Sequence, residues 1–267
     1  MATILSRALA TVPGVALLFS GHLGLSLSFA DLRLERETVT KIVRVGYPAS
    51  IEQSSGALSY TAMTAIIAFI GPTAVAAFGI CARLTSFVFL PAVGLGMGTE
   101  TAVGQNLGAK QADRAKQAVF ASAGIIAAVL VVVTAVVYLN AAAIVDVFIT
   151  GAESASVVAI GADYLRVVGL TYALLGVFHV VQGAYRGSGS TRLAMIFGVV
   201  GLILLRVPPA YALVAWFDMG ATGVWYGIAA ANVLMVLLSG AYFLRGTWTG
   251  RVVDRGPPGQ EVTAGDD

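Results

Sequence analysis

QAVFASAGIIAAVLVVVTAVVYL, residues 117–139, contains no charged residue and only Gln117, Ser122, Thr134 and Tyr138 as polar groups. Wound into a helix, it would be apolar on every side, whereas a surface helix of a soluble domain keeps a polar face. About 20 helical residues cross the ~30 Å hydrocarbon core of a bilayer, so this stretch reads as a transmembrane helix. Outward from it, comparable stretches lie at 46–70, 78–102, 158–182, 193–216 and 221–244. Hydrophobic residues make up 58% and charged residues 11% of the 267-residue chain, against about 25% charged in soluble domains. A mean hydropathy of +0.86 agrees. Backbone groups in lipid must pair within their segment or around a closed barrel. The alternating ~10-residue strands of a barrel are absent. The fold class read here is all-α: a polytopic membrane protein with a six-transmembrane-helix bundle.

Charge sets the expected orientation. Arg33, Arg36, Lys41 and Arg44 precede the first span, and Lys110, Arg114 and Lys116 follow the second. Arg186 and Arg192 separate the fourth and fifth, and Arg245, Arg251 and Arg255 follow the sixth. The alternate loops carry Gly71 and Pro72, then Asp146 and Glu153, then Asp218. The positive-inside rule puts the basic loops and both ends of the six-helix segment in the cytoplasm, in a plasma or inner membrane. Basic residues scattered over four loops describe topology and not a nucleic-acid surface, so no nucleic-acid partner is expected.

Four segments follow. Residues 1–20 resemble a secretory signal as well as the end of a span, and the poor small-residue cleavage site favours a partial transmembrane helix. Residues 21–45 read as a cytoplasmic linker, 46–245 as the membrane lobe and 246–267 as a disordered cytoplasmic tail rich in Gly and Pro. One cysteine and two histidines give neither an intramolecular disulfide nor a metal cluster. No catalytic triad or P-loop is present, and GLGMG at 94–98 lies within an apolar span where it cannot follow a Rossmann strand, so the chain does not read as an enzyme.

Polar groups inside the apolar spans are costly and mark pathways or structural pairs. Glu52, followed by Gln53, is placed to bind a proton or sodium ion or to pair with an organic cation, or else to form a structural ion pair. Tyr60, Gln182 and Asn232 are its uncharged company, with Arg83 and Arg166 the remaining charges. Glu100, near a span end, is expected to snorkel to water. His179 can titrate near neutral pH or hydrogen-bond a neighbouring helix. Arg206, beside Pro208 and Pro209, is expected to meet freed carbonyls or a carboxylate. Pro91 and Pro208 are candidate functional kinks, and Gly94, Gly96 and Gly98 serve either a kink or close helix packing.

GYPASIEQ (46–53), VAAFGICARL (75–84), VGQNLGAKQADRA (103–115), YRGSGSTR (185–192) and TGVWYG (222–227) resemble, in order and spacing, successive motifs of the multidrug and toxin extrusion (MATE) family. The resemblance runs from about residue 15 to 245 and covers the second of two six-helix lobes. It implies a secondary antiporter that exports amphipathic, often cationic organic compounds or drugs in exchange for Na+ or H+, with no other cofactor. It also implies a partner for this half, either a missing N-terminal lobe or a second copy, within membrane lipid. The acidic positions used by some branches align with Gly56 and Leu175 here, which leaves Glu52 as the local substitute. Two alternatives remain: a flippase for a lipid-linked precursor from the same superfamily, and a transport-inactive half that serves as an assembly partner. The basic loops themselves read as connectors and topology anchors.

Overall fold

The computed structural model of the chain describes residues 35–149 and 154–248, with residues 5–7, 9, 11–13 and 19 before them. The chain divides into two units, Met1–Arg44 and Val45–Asp267, and the second holds the helical lobe. The partial span read at 1–20, most of the linker read at 21–45 and nearly all of the tail read at 246–267 lie outside the described residues.

The described elements are helical throughout. They are α1 (Arg36–Ala68), α2 (Pro72–Gly108), α3 (Ala112–Leu139), α4 (Ala141–Asp146), α5 (Ser154–Gly169), α6 (Tyr172–Gly187), α7 (Thr191–Val199), a π turn (Val200–Leu204), α8 (Val207–Ala215) and α9 (Gly220–Leu244). In α3, Val119, Ile126 and Leu130 are buried while Phe120, Ile125, Val132, Val136 and Leu139 are exposed. A soluble protein does not present such an apolar outer face, and lipid is its natural solvent.

Helices α2, α3 and α9, together with Thr191–Ala215 taken through its π turn, are each long and apolar enough to cross a membrane. The pair α5 and α6, bent by 54°, adds a fifth crossing if taken as one span. Helix α1 is ample in length, 33 residues, and it starts at Arg36 instead of residue 46. Its middle is too polar to pass on composition, because Glu52, Gln53, Ser54, Ser55, Ser59, Tyr60 and Thr61 interrupt it. Such a run suits a helix that faces protein or a cavity better than one surrounded by lipid.

The largest break is one the sequence did not announce, since no proline stands between α5 and α6. Thr171 ends the regular ladder there. Its N–H donates to Val168 O at 2.9 Å, its hydroxyl donates to the same carbonyl at 2.7 Å, and Asn232 Nδ2 donates to Thr171 Oγ1 at 2.8 Å. A threonine that captures local backbone in this way competes with helix continuation. Pro91, by contrast, lies inside α2 without ending it. Pro208 and Pro209 lack the N–H groups that would bond one turn back, and a π turn precedes them, with Leu205 N–H on Val200 O at 2.9 Å.

Ser59 of α1 donates to Leu202 O in that turn at 2.7 Å. Ser59→Ala should lower stability by about 1 kcal/mol, the cost of losing a hydrogen bond to a partly buried carbonyl. Cys81, the chain's single cysteine, is fully buried, so labelling of its thiol by a fluorogenic maleimide during heating reports unfolding. An unchanged midpoint for Ser59→Ala would show that the bond contributes nothing.

Helices α2 and α6 cross backbone to backbone. A Cβ at Gly183 would overlap the Gly96 carbonyl, one at Gly187 would overlap the Glu100 carbonyl, and one at Gly96 would lie 2.8 Å from His179 O. Gly96 therefore serves packing, whereas a Cβ at Gly94 or Gly98 meets nothing within 4 Å.

Candidate functional site

Two polar constellations emerge from this framework. The first is a cavity of about 480 Å³ lined by α1, α2, α5, α6, the π turn with Arg206, and α9. Both breaks open onto it. Val168 and Tyr172 flank the α5/α6 bend, Leu202 lies in the π turn, and Arg206 caps the start of α8; all four line the cavity. Aromatic rings form much of its wall. Phe78 stacks on Tyr60 with centroids 5.4 Å apart, and Phe89 meets Tyr172 edge-on at 5.3 Å.

A hydrogen-bonded relay ties Arg206 to the bend. Its Nη2 donates to Asn232 Oδ1 at 2.7 Å, and Asn232 in turn donates to Thr171. The expected partner of Arg206 was a freed carbonyl or a carboxylate, but the structure gives a neutral amide. Arg206 Nε is buried with no hydrogen-bond partner among the described residues. Across the cavity, Thr85 Oγ1 lies 2.8 Å from the Tyr172 hydroxyl and 3.4 Å from that of Tyr164. His179 lies beside Phe89, with centroids 5.7 Å apart, and lines the same space.

The second constellation is a charge cluster one helical turn from the cavity along α1, because Glu52, Gly56 and Tyr60 share a helix face at i, i+4 and i+8. Arg186 Nη1 donates to Glu52 Oε1 at 2.7 Å, and Arg186 Nε donates to Glu100 Oε2 at 3.0 Å. Gln182 Nε2 donates to Glu52 Oε1 at 3.2 Å and to Ala194 O at 2.9 Å. Gly198 makes room, since a Cβ there would lie 3.1 Å from Glu52 Cγ. Two carboxylates thus share one guanidinium, with a formal charge of −1 when all three are ionised. Glu100, expected to snorkel, is bonded to Arg186 while its side chain stays 40% exposed.

Tyr60, His179 and Arg206 are brought together at the cavity, while Glu52 and Gln182 meet in the cluster. Gln53 is exposed and belongs to neither, and Pro208 stands two residues beyond Arg206. Gly56 and Leu175, the positions aligned to the family's acidic residues, both line the cavity. The sequence puts Arg186 in the basic loop between the fourth and fifth spans, whereas it occupies the last turn of α6. Its i,i+4 spacing from Gln182 was a local signal that both share a face. Nothing local links it to Glu52, and no local signal marks Tyr164, Tyr172 and Thr85 as neighbours.

Comparison with known proteins adds a second line of observation. The MatE family model matches residues 48–212. The probable multidrug resistance protein YoeA of Bacillus subtilis (strain 168) is 28% identical over 215 residues, covering 79% of this chain and 45% of that one. The probable multidrug resistance protein NorM of Thermotoga maritima is 28% identical over 218 residues, covering 80% and 45%. This chain spans about half the length of the curated relatives it matches. Among solved structures, MATE in complex with MaL6 superposes with a TM-score of 0.85 at 21% identity, covering 93% of this chain and 56% of that one. The outward-facing conformation of a multidrug resistance MATE family transporter of the MOP superfamily gives 0.83 at 23% identity, with the same coverage. At those identities the superpositions speak for the fold.

Proposed function

The chain belongs to the MATE family, a family of multi-pass membrane transporters and not of enzymes, and from that membership we propose that it forms the carboxy-terminal lobe of a secondary antiporter. The observation that carries this reading is the placement of the cavity at two broken helices. Discontinuous helices around a site between lobes are how secondary transporters expose binding groups to a cargo and rearrange around it. This lobe supplies one wall, and an N-terminal lobe or a second copy supplies the other.

The proposed cargo is an amphipathic organic compound, with cationic drugs the class that the family resemblance indicates, moved in exchange for Na+ or H+. Neither Gly56 nor Leu175 offers a coupling carboxylate, so the coupling role falls to Glu52 with its partners Arg186, Gln182 and Glu100. The basic loops and both ends of the lobe face the cytoplasm in this reading, with 21–45 as the link to a first lobe.

The test is efflux of amphipathic fluorescent dyes of either charge from vesicles holding this chain, with proton and sodium gradients imposed in turn. Gradient-driven efflux is expected, and Glu52→Gln should reduce it at least tenfold. No efflux under either gradient, from protein in which Cys81 stays masked, would rule out a second copy as the other wall; no efflux with an N-terminal MATE lobe added to the same vesicles would overturn the reading. Full activity in Glu52→Gln would remove Glu52 from the coupling role.

A further inference from the structure

We propose that the cavity wall contributed by this chain selects amphipathic organic anions, with Arg206 as their counter-charge. The inference rests on reading the cavity as the cargo site and concerns the sign of the cargo. Of the residues that line the cavity, Arg83 and Arg206 are cationic and none is Asp or Glu. Among the described residues the side-chain hydrogen bond of Arg206 goes to a neutral amide, at 2.7 Å, and its Nε is buried with no partner. A guanidinium drawn out of water is stable in the long run when an anion accepts its forked donors. The protein holds the fork in place, with Nη2 fixed through Asn232 to Thr171, and no carboxylate among the described residues lines the cavity to fill it.

The acidic groups nearest along α1 do not alter this balance. Glu52 and Glu100 are both bonded to Arg186 and neither lines the cavity. The aromatic wall, including Tyr60, Phe78 and Phe89, accepts apolar bodies of either charge, and its ring faces also attract cations. It therefore sets the shape of the ligand, while Arg206 sets its sign. A planar or short-chain aryl compound bearing a carboxylate, sulfonate or phosphate fits both requirements. An organic cation would have to sit among unneutralised guanidinium groups.

A matched pair of probes separates the two signs: 4-hexylbenzenesulfonate and 4-hexylphenyltrimethylammonium. Each is titrated calorimetrically into the full chain in phosphatidylcholine nanodiscs, with empty nanodiscs subtracted. The sulfonate should bind saturably and at least tenfold more tightly than the ammonium. Arg206→Gln should remove that preference, Arg206→Lys should keep most of it, and Arg83→Gln should weaken it less. Masking of Cys81 verifies folding, and Arg206→Met is the second neutral variant should Arg206→Gln lose it. Equal or tighter binding of the ammonium, absence of saturable sulfonate binding, or an undiminished preference in folded Arg206→Gln or Arg206→Met would overturn the proposal. Gradient-driven efflux of cationic dyes without saturable sulfonate binding would overturn it and leave the transporter reading intact. Arg206-dependent sulfonate binding without efflux of any dye would leave the proposal standing and rule out transport by copies of this chain alone.

Discussion

Gly183→Ala is expected to separate α6 from α2 and to cost about 3 kcal/mol or more, the upper range for overpacking a close contact. The added methyl would overlap the Gly96 carbonyl oxygen, with the Gly96 carbonyl carbon 3.0 Å away. The obstacle is backbone in the middle of another helix, so no side-chain rotation relieves it. The two helices must move apart, and α6 cannot retreat freely because it also packs against α3, where Leu130 and Ile126 lie against Gly176. Gly98→Ala makes the control: a Cβ there meets open space, and alanine favours a helix over glycine by about 1 kcal/mol. In the Cys81 labelling assay, Gly183→Ala should unfold ~10 °C below the native chain or yield no folded protein, while Gly98→Ala should match or exceed it. Equal midpoints for the two variants would mean that α2 and α6 do not cross at this register.

The contrast between those glycines shows where sequence reading reaches its limit. Gly96 and Gly98 stand in the same GLGMG run, and only the crossing with α6 makes Gly96 a contact and Gly98 a bystander. Local composition was enough for α3 and α9, whose apolar residues surround the axis and leave no soluble alternative. It was enough as well for the turn at Gly189, whose φ of +71° suits the glycine in YRGSGSTR. It failed at Thr171, because the bend there depends on Asn232, sixty-one positions later. At Pro91 the proline removes a hydrogen bond, and α2 carries it within its length without ending. Within the candidate site, Tyr60, His179 and Arg206 could be named as polar interruptions of apolar spans, since each is costly unless used. Their convergence on one cavity, and the separation of Glu52 from it by one turn, are properties of the packing of five helices and carry no local signature.

Arg186→Met is the sharpest probe of that packing, since it removes the one cation from a cluster of two carboxylates. Breaking a fully buried pair costs about 3–5 kcal/mol, because the surviving charge is left unpaired in a poor solvent. Here the side chains of Arg186, Glu52 and Glu100 are 25%, 16% and 40% exposed, so water screens part of the loss and about 2 kcal/mol is expected. The loss should fall on α1, because Glu52 is held to α6 by Arg186 and Gln182 together, and two uncompensated carboxylates repel each other across the α1–α2 gap. Glu52→Gln alone should be mild: Arg186 keeps Glu100, and a glutamine at 52 still offers an oxygen to the Gln182 amide. Combined with Arg186→Met, it should restore much of the lost stability, since only the more exposed Glu100 is then unpaired. That order, with the double variant more stable than Arg186→Met, is the signature of coupled charges and departs from additivity. Thermal midpoints of the three variants decide it. Strict additivity would show that Glu52 and Arg186 act independently, and α1 would then owe its place to Ser59 and the Tyr60–Phe78 stack.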